Sequence, residues 1–256
     1  RCFHLSARMC PVHRRKHLGE IKRLLREGAD CRVVSTQLIE AGVDIDFPVV
    51  YRAIAGIDSV AQAAGRCNRE GKNERGEVYV FRSTEGYGRA TSWQRLTAEI
   101  GRMILDTYDD SLSLPAIENY FQKLYSYKGA KGLDQEEILL LFERRVRDLA
   151  FPFEDVGWKF SIIEQGTKDL IVPYDENGRA LIDELRTGES FWKYARRLQG
   201  YTINIYPDEF LELERAGEID LLGERFHVLN DISQYSEKIG LIKRKGYIEG
   251  GSLLIV

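Results

Sequence analysis

Gln62, Arg66 and Arg69 fall at positions i, i+4 and i+7, and on a helix that spacing projects all three from one face. Two guanidiniums and an amide placed this way suit an anion with several in-plane acceptor oxygens, a polyphosphate above all. Arginine keeps its charge, so it can stabilise the negative charge that grows while a phosphoryl group is transferred; such a finger is worth ~10³–10⁵ in rate. An isolated arginine pair is ordinarily a solvated surface feature. This pair follows Ser35-Thr36 and Gly42-Val43-Asp44 at a fixed distance, and the combination is what points to chemistry.

These residues need elements to hold them. The apolar run Cys31–Val34 predicts a buried strand that delivers Ser35-Thr36 to its carboxyl end, where open α/β sheets bind ligands. Gln37–Ala41 are strong helix formers, stopped by Gly42, where a positive φ is accessible. Val43–Phe47 alternates apolar and acidic residues before Pro48, and Val49–Tyr51 is a second strand. Ser59 is the expected N-cap of a small-residue helix carrying Gln62.

Ser35-Thr36 through Gly42-Val43-Asp44 resembles motif V of the superfamily 2 helicases, and Gln62-Ala63-Ala64-Gly65-Arg66-Cys67-Asn68-Arg69 resembles their motif VI. Both belong to the second RecA-like lobe. Narrower wording, Gly65–Gly71 and His4-Leu5-Ser6-Ala7-Arg8-Met9-Cys10-Pro11 followed by His13-Arg14, is similar to the CRISPR-associated helicase–nuclease of type I systems. The likeness continues into Gly129–Asp134 and, loosely, into the last third. It implies an ATP-dependent DNA helicase or translocase with a nuclease domain elsewhere in the full protein. Single-stranded DNA would be tracked 3′ to 5′, with recruitment to a target-bound Cascade-type complex. By resemblance, Arg66 and Arg69 face the γ-phosphate as catalytic fingers with Gln62 assisting. Gly42 and Asp44 approach the ribose side, and Ser6, Arg8, Ser35 and Thr36 touch the DNA backbone. Many relatives carry proline before motif VI, where this chain has Ala55-Gly56; the glycine is expected to loosen that loop.

The chain has no G-x-x-x-x-G-K-[ST] phosphate loop and no acidic Mg²⁺-binding strand motif. It is therefore expected to be a C-terminal part, half of an ATP site whose phosphate loop and Mg²⁺ ligands lie in another lobe, and to hydrolyse no ATP alone. Two other readings carry weight: a lobe of another superfamily 2 member such as an RNA helicase, and a non-catalytic docking module that binds a partner protein.

The fold class expected is α/β. A RecA-like lobe with a partial parallel sheet spans 1–91, a helical linker 92–150, and a small α+β accessory domain 151–256. In the lobe, a strand begins at once, a helix runs from about Val12 to Glu27 with Gly28 closing it, and Glu77–Phe81 is a strand. Residues 82–92 are expected to form a loop. The linker holds three helices: Trp93–Tyr108, Leu114–Tyr127, and Asp134–Leu149, the last with Asp134 and Glu137 as a capping box. Beyond 151, Trp158–Ile163 and Asp169–Tyr174 suggest a hairpin, with Asp175–Gly178 a turn. Helices are expected at Ala180–Leu185, Phe191–Leu198 and Phe210–Arg215. Tyr201–Tyr206, Phe226–Leu229, Ile239–Ile242 and Leu253–Val256 are expected strands.

Charge and composition set limits. The net charge is −3 and 43% of residues are hydrophobic, ordinary for a soluble globular protein. Residues 1–80 hold 14 Lys+Arg against 10 Asp+Glu, a mildly basic first part permissive for phosphate binding. No apolar run approaches a membrane span of ~20 residues, so no membrane partner is expected. Four cysteines without CxxC spacing suit reduced thiols in the cytoplasm. Cys10, His13 and His17 invite a metal reading, but a structural zinc site needs a fourth ligand, and polar helix residues near a groove are the expectation; no metal is assigned to the chain itself. The aromatics Tyr120, Phe121, Tyr125 and Tyr127 recur at helical spacing, which favours core packing over base stacking. Arg196-Arg197 and Lys243-Arg244-Lys245 are expected solvated patches, and His227 a strand residue.

Overall fold

The structure is a computed structural model describing residues 1–39, 42–82, 91–145, 150–160, 166–187, 191–223, 225–242 and 254–255. Expectations on residues 40–41, 83–90, 146–149, 161–165, 243–253 and 256, including the Lys243–Lys245 basic patch, lie outside the described residues. The chain forms two compact units. One comprises 1–54, 59–92 and 166–256, and the other 55–58 with 93–165.

The first unit opens with strand β1 (Cys2–Leu5) and helix α1 (Pro11–Arg26). Proline at N1 suits a helix start. At the other end, Gly28 takes φ +65°, its N–H reaches the Leu25 carbonyl, and the Ala29 N–H reaches Leu24. That is a Schellman termination, and it explains why Gly28 closes the helix. Strand β2 (Arg32–Ser35) pairs in parallel with β1. A 3₁₀ turn, Gln37–Ile39, stands where the helix formers at 37 begin. Strand β3 (Val49–Ala53), helix α2 (Ile57–Ala64) and strand β4 (Glu77–Phe81) follow, with β3 and β4 parallel.

Helix α2 corrects two expectations. It starts at Ile57, so Ser59 lies inside its first turn and is not the N-cap. It ends at Ala64, short of Arg66 and Arg69. Ile57 is 1% exposed, and burying it draws the helix start forward. At the other end, Phe47 captures the departing chain. Its N–H bonds the Arg66 carbonyl at 2.9 Å, and its carbonyl accepts the Asn68 N–H at 2.8 Å. The arginines are therefore set by a bridge to residue 47, not by a helix face.

The second half of this unit is built on a mixed sheet. Its elements are β5 (Lys168–Ile171), α7 (Glu176–Thr187), α8 (Phe191–Leu198), β6 (Thr202–Ile205), α9 (Pro207–Arg215), β7 (Ile219–Leu222) and β8 (Phe226–Leu229). The strand order is β6-β5-β8-β7. A small ribbon, β9 (Tyr235–Ser236) with β10 (Gly240–Leu241), pairs antiparallel. Asp175, read as part of a turn, is instead the cap of α7: its carboxylate accepts the Gly178 N–H at 2.8 Å. Gly178 is required there because an added Cβ would sit 2.8 Å from the Tyr201 ring. Strand β5 pairs with β6 and β8, and of the partner expected at 158–163 only 158–160 lie within the described residues. Strand β11 (Leu254–Ile255) also departs from expectation. It pairs antiparallel between β2 and β3, so the lobe's sheet runs β1-β2-β11-β3-β4.

The other unit is helical: α3 (Ser92–Thr107, of which Ser92 is counted with the first unit), α4 (Leu114–Leu133), α5 (Ile138–Arg145) and α6 (Phe153–Lys159). Gly129 breaks α4 at φ 63°. Asp134 caps α5 from four residues away, accepting the Ile138 and Leu139 N–H groups at 2.7 and 2.9 Å, while Glu137 takes φ 54° and forms no capping box. Trp158, expected in a strand, lies in α6. Glu154 and Asp155 in its first turn complement the helix dipole. Tyr120 is buried and donates to Asp58 at 2.8 Å, whereas Tyr125 and Tyr127 are exposed. The loop at Ala55-Gly56 is tightly packed, not loose. A Cβ on Gly56 would meet the Tyr120 hydroxyl, and one on Gly101 would run into the Ala55 carbonyl oxygen. Gly101→Ala should therefore destabilise the protein by about 1–3 kcal/mol through overpacking, read as a lower midpoint in urea denaturation.

Candidate functional site

Two strand ends carry the residues expected on a nucleic-acid path. The Thr36 N–H bonds the Leu5 carbonyl at 3.1 Å, and Ser35 Oγ donates to the same carbonyl at 3.2 Å, which holds the ends of β1 and β2 together. Ser6 and Ser35 are both buried, and only Thr36 of the four expected DNA contacts keeps partial exposure. Arg8 is a correction. Its guanidinium turns inward, donating Nε to the Leu241 carbonyl at 2.6 Å and its two Nη groups to Glu209 at 3.0 and 2.5 Å. A guanidinium buried to this degree needs its N–H groups paired, and the Glu209 carboxylate and the Leu241 carbonyl pair them.

The segment after Gly42, which takes φ +73°, meets the segment after α2. Arg69 Nη1 lies 3.3 Å from Asp44 Oδ1, and the Arg69 N–H donates to Asp46 Oδ1 at 2.7 Å. Arg66 Nε donates to the Ile39 carbonyl at 3.1 Å. Phe47 and Cys67 form a parallel bridge that fixes this register. The turn beyond is tied by Asn68, whose φ is 48°: its Nδ2 donates to the Asn73 carbonyl at 2.7 Å, and its Oδ1 accepts the Asn73 N–H at 2.9 Å. Burial pushes the Cys67 thiol up, which favours its protonated form.

The structure thus puts Arg69 on Asp44 and Arg66 on the backbone of Ile39. Gln62 is exposed on α2 and, among the described residues, hydrogen-bonds neither arginine. Asp46 is the residue missed by sequence reasoning. It sits two positions after Asp44 in the acidic–apolar alternation, and that period is the signal that both carboxylates share a side. A cleft of about 660 Å³ opens beside the pair, lined by Asp44, Asp46, Lys72 and the turn Gly28–Cys31 among others.

Parallel strand pairs with helical crossovers carry Ser-Thr at a strand end and an arginine opposite Gly-Val-Asp, in a mixed α/β chain. Residues 1–72 match the family model for the CRISPR-associated nuclease/helicase Cas3, C-terminal. The chain is 28% identical over 152 residues to the CRISPR-associated nuclease/helicase Cas3 of Methanothermobacter thermautotrophicus, covering 56% of this chain and 17% of that one. It is 42% identical over 80 residues to the Haloferax volcanii protein of the same name, covering 30% and 8%. Over these stretches the chain is similar to part of those proteins, and the matches span less than a fifth of their length. Among solved structures, T. fusca Cas3 with ATP aligns at TM-score 0.45 and 14% identity, over 89% of this chain and 32% of that one. A CRISPR RNA-guided surveillance complex, pre-nicking, aligns at 0.47 and 13%, over 90% and 34%.

Proposed function

We propose that this chain supplies the second RecA-like lobe and accessory module of an ATP-dependent single-stranded DNA translocase acting in CRISPR interference. The observation that carries the reading is the Asp44–Arg69 contact, which joins the two segments that resemble motifs V and VI. Its donor set fits half of a nucleotide site. Arg66, Arg69 and Lys72 are held by the Ile39 carbonyl, Asp44 and Glu70 and would exchange those partners for phosphate oxygens, while the sequence has no glycine-rich loop to cradle the β-phosphate.

ATP, with Mg²⁺ held by another lobe, would supply the phosphoryl group whose hydrolysis drives the motor. Arg69 and Arg66 would turn toward that group and stabilise its developing charge. Gly42 and Asp44 would face the ribose side. Thr36 would grip the DNA backbone, and because only a short segment separates it from Asp44, nucleotide state and DNA grip would move together. Backbone contacts carry no sequence information, so translocation would be sequence-tolerant. The Cascade-type partner follows from the family relationship.

Nucleic-acid-stimulated ATPase in the complete protein, with single-stranded DNA and RNA as separate activators, tests this. DNA stimulation is expected, and stimulation by RNA alone would instead favour an RNA helicase. The 256-residue chain by itself should show no turnover above a buffer blank; hydrolysis proportional to its concentration would overturn the half-site reading. Absence of stimulation by either nucleic acid, with retained binding to the surveillance complex, would favour a docking module.

A further inference from the structure

His13 and His17 lie one turn apart on α1, and the turn between β9 and β10 brings Glu237 to them. His13 Nε2 is 3.2 Å from His17 Nε2, 3.9 Å from Glu237 Oε2 and 3.0 Å from the Glu237 carbonyl oxygen. One ligand atom from each of the three side chains lies within 4.8 Å of the others. Around a tetrahedral zinc ion with bonds of about 2.0–2.1 Å, neighbouring ligand atoms are about 3.3 Å apart. The imidazoles already stand at that separation. The carboxylate, on a side chain 67% exposed, closes the remainder by a small rotation.

The surroundings suit ligation. His13 Nδ1 is 2.9 Å from the Tyr235 hydroxyl, which also accepts the Cys10 N–H at 2.9 Å. Nε2 donates to the Glu237 carbonyl oxygen and Nδ1 accepts from the Tyr235 hydroxyl; ligation would move the ring proton to Nδ1, where the phenol oxygen can accept it, and free the Nε2 lone pair for the ion, as outer partners do for metal-bound histidines. Lys16 Nζ at 3.6 Å and the Tyr174 hydroxyl at 3.1 Å share the Glu237 carboxylate, and Lys16, on a solvated stem, must yield when a cation enters.

We propose that His13, His17 and Glu237 form a site for a zinc-class divalent cation that staples α1 to the β9–β10 turn, with water or the Glu237 carbonyl as fourth ligand. Two imidazoles and a carboxylate favour zinc over magnesium, so the site is chemically separate from any Mg²⁺ that accompanies a nucleotide. It lies within the unit that includes both α1 and the ribbon, and it makes the sheet lobe and the accessory module share a metal.

Calorimetric titration of the 256-residue chain with Zn²⁺, paired with Co²⁺ as a spectroscopic substitute, tests the site. One equivalent per chain is expected, with tetrahedral cobalt bands free of thiolate charge transfer. The melting temperature should rise by about 5 °C or more at a hundredfold excess over Kd, and Mg²⁺ should produce no such shift. His17→Ala and Glu237→Gln should each abolish or severely weaken binding; Glu237→Gln, an exposed side chain, keeps the test valid if His17→Ala folds poorly. No binding at micromolar zinc would overturn the proposal and leave an imidazole–imidazole hydrogen bond. So would full binding by both variants, or a cobalt spectrum dominated by thiolate, which would assign the ion to cysteines.

Discussion

If the proposed motor function holds, Arg69→Ala in the complete protein should lower DNA-stimulated ATP hydrolysis by ~10²-fold or more while leaving nucleotide affinity nearly unchanged. The structure makes this variant informative because little of the fold depends on the side chain. The Arg69 and Asp44 side chains are 42% and 78% exposed, and a solvated pair of that kind contributes about 0–1 kcal/mol. The contact that shapes the turn is the Arg69 backbone N–H on Asp46, which alanine retains. A fall in rate then reports on the transition state and not on unfolding. The same weakness explains how the guanidinium can leave Asp44 for a phosphate: it gives up at most about 1 kcal/mol of surface attraction. Arg69→Lys should recover only part of the loss, since an ammonium is a point charge without the planar fork. A mutant that hydrolyses ATP at the normal rate would dismiss Arg69 as a finger and move attention to Arg66 or to a docking role.

Local signals account for what was legible beforehand. The strand at Cys31–Val34, the stop at Gly28 and the positive φ at Gly42 depend on a few neighbouring residues, and the structure has β2 at Arg32–Ser35 and left-handed glycines at both positions. Element ends were less legible because tertiary partners set them. Phe47 ends the path of α2 before Arg66, and no pattern within 57–69 contains that information. Asp175 appeared to be a turn because Asn177-Gly178 is turn-like in composition, yet Gly178 is there to clear the Tyr201 ring. Of the candidate site, the arginines and Asp44 were visible through spacing and resemblance. Glu209 and Glu237 were not, since each meets its partner across roughly two hundred residues of chain.

The largest stability effect is expected at Arg8 and Glu209. Both are buried, at 8% and 7% exposure, and the guanidinium also holds the Leu241 carbonyl, while the Leu241 N–H returns to the Arg8 carbonyl at 3.0 Å. Gly240 permits that approach: a Cβ there would collide with the Arg8 carbonyl, and its φ is +82°. Glu209→Ala strands a buried guanidinium and should cost about 3–5 kcal/mol, lowering the melting temperature by roughly 6–20 °C in a chain of this size. Arg8→Ala strands the carboxylate and should cost a similar amount. The apolar double replacement Arg8→Met with Glu209→Leu should recover much of the loss, because the penalty comes from one unpaired buried charge and not from absence of the pair. Single-stranded DNA affinity separates this account from the resemblance, which puts Arg8 on the phosphate backbone. A phosphate contact would show as a reduced salt slope with stability intact. If Arg8→Ala melts within about 2 °C of wild type yet binds DNA far more weakly, the inward ion pair is not what Arg8 is for. If stability collapses in both single variants and returns in the double, Arg8 ties the sheet lobe to the accessory module, and the DNA path must be sought at Thr36 instead.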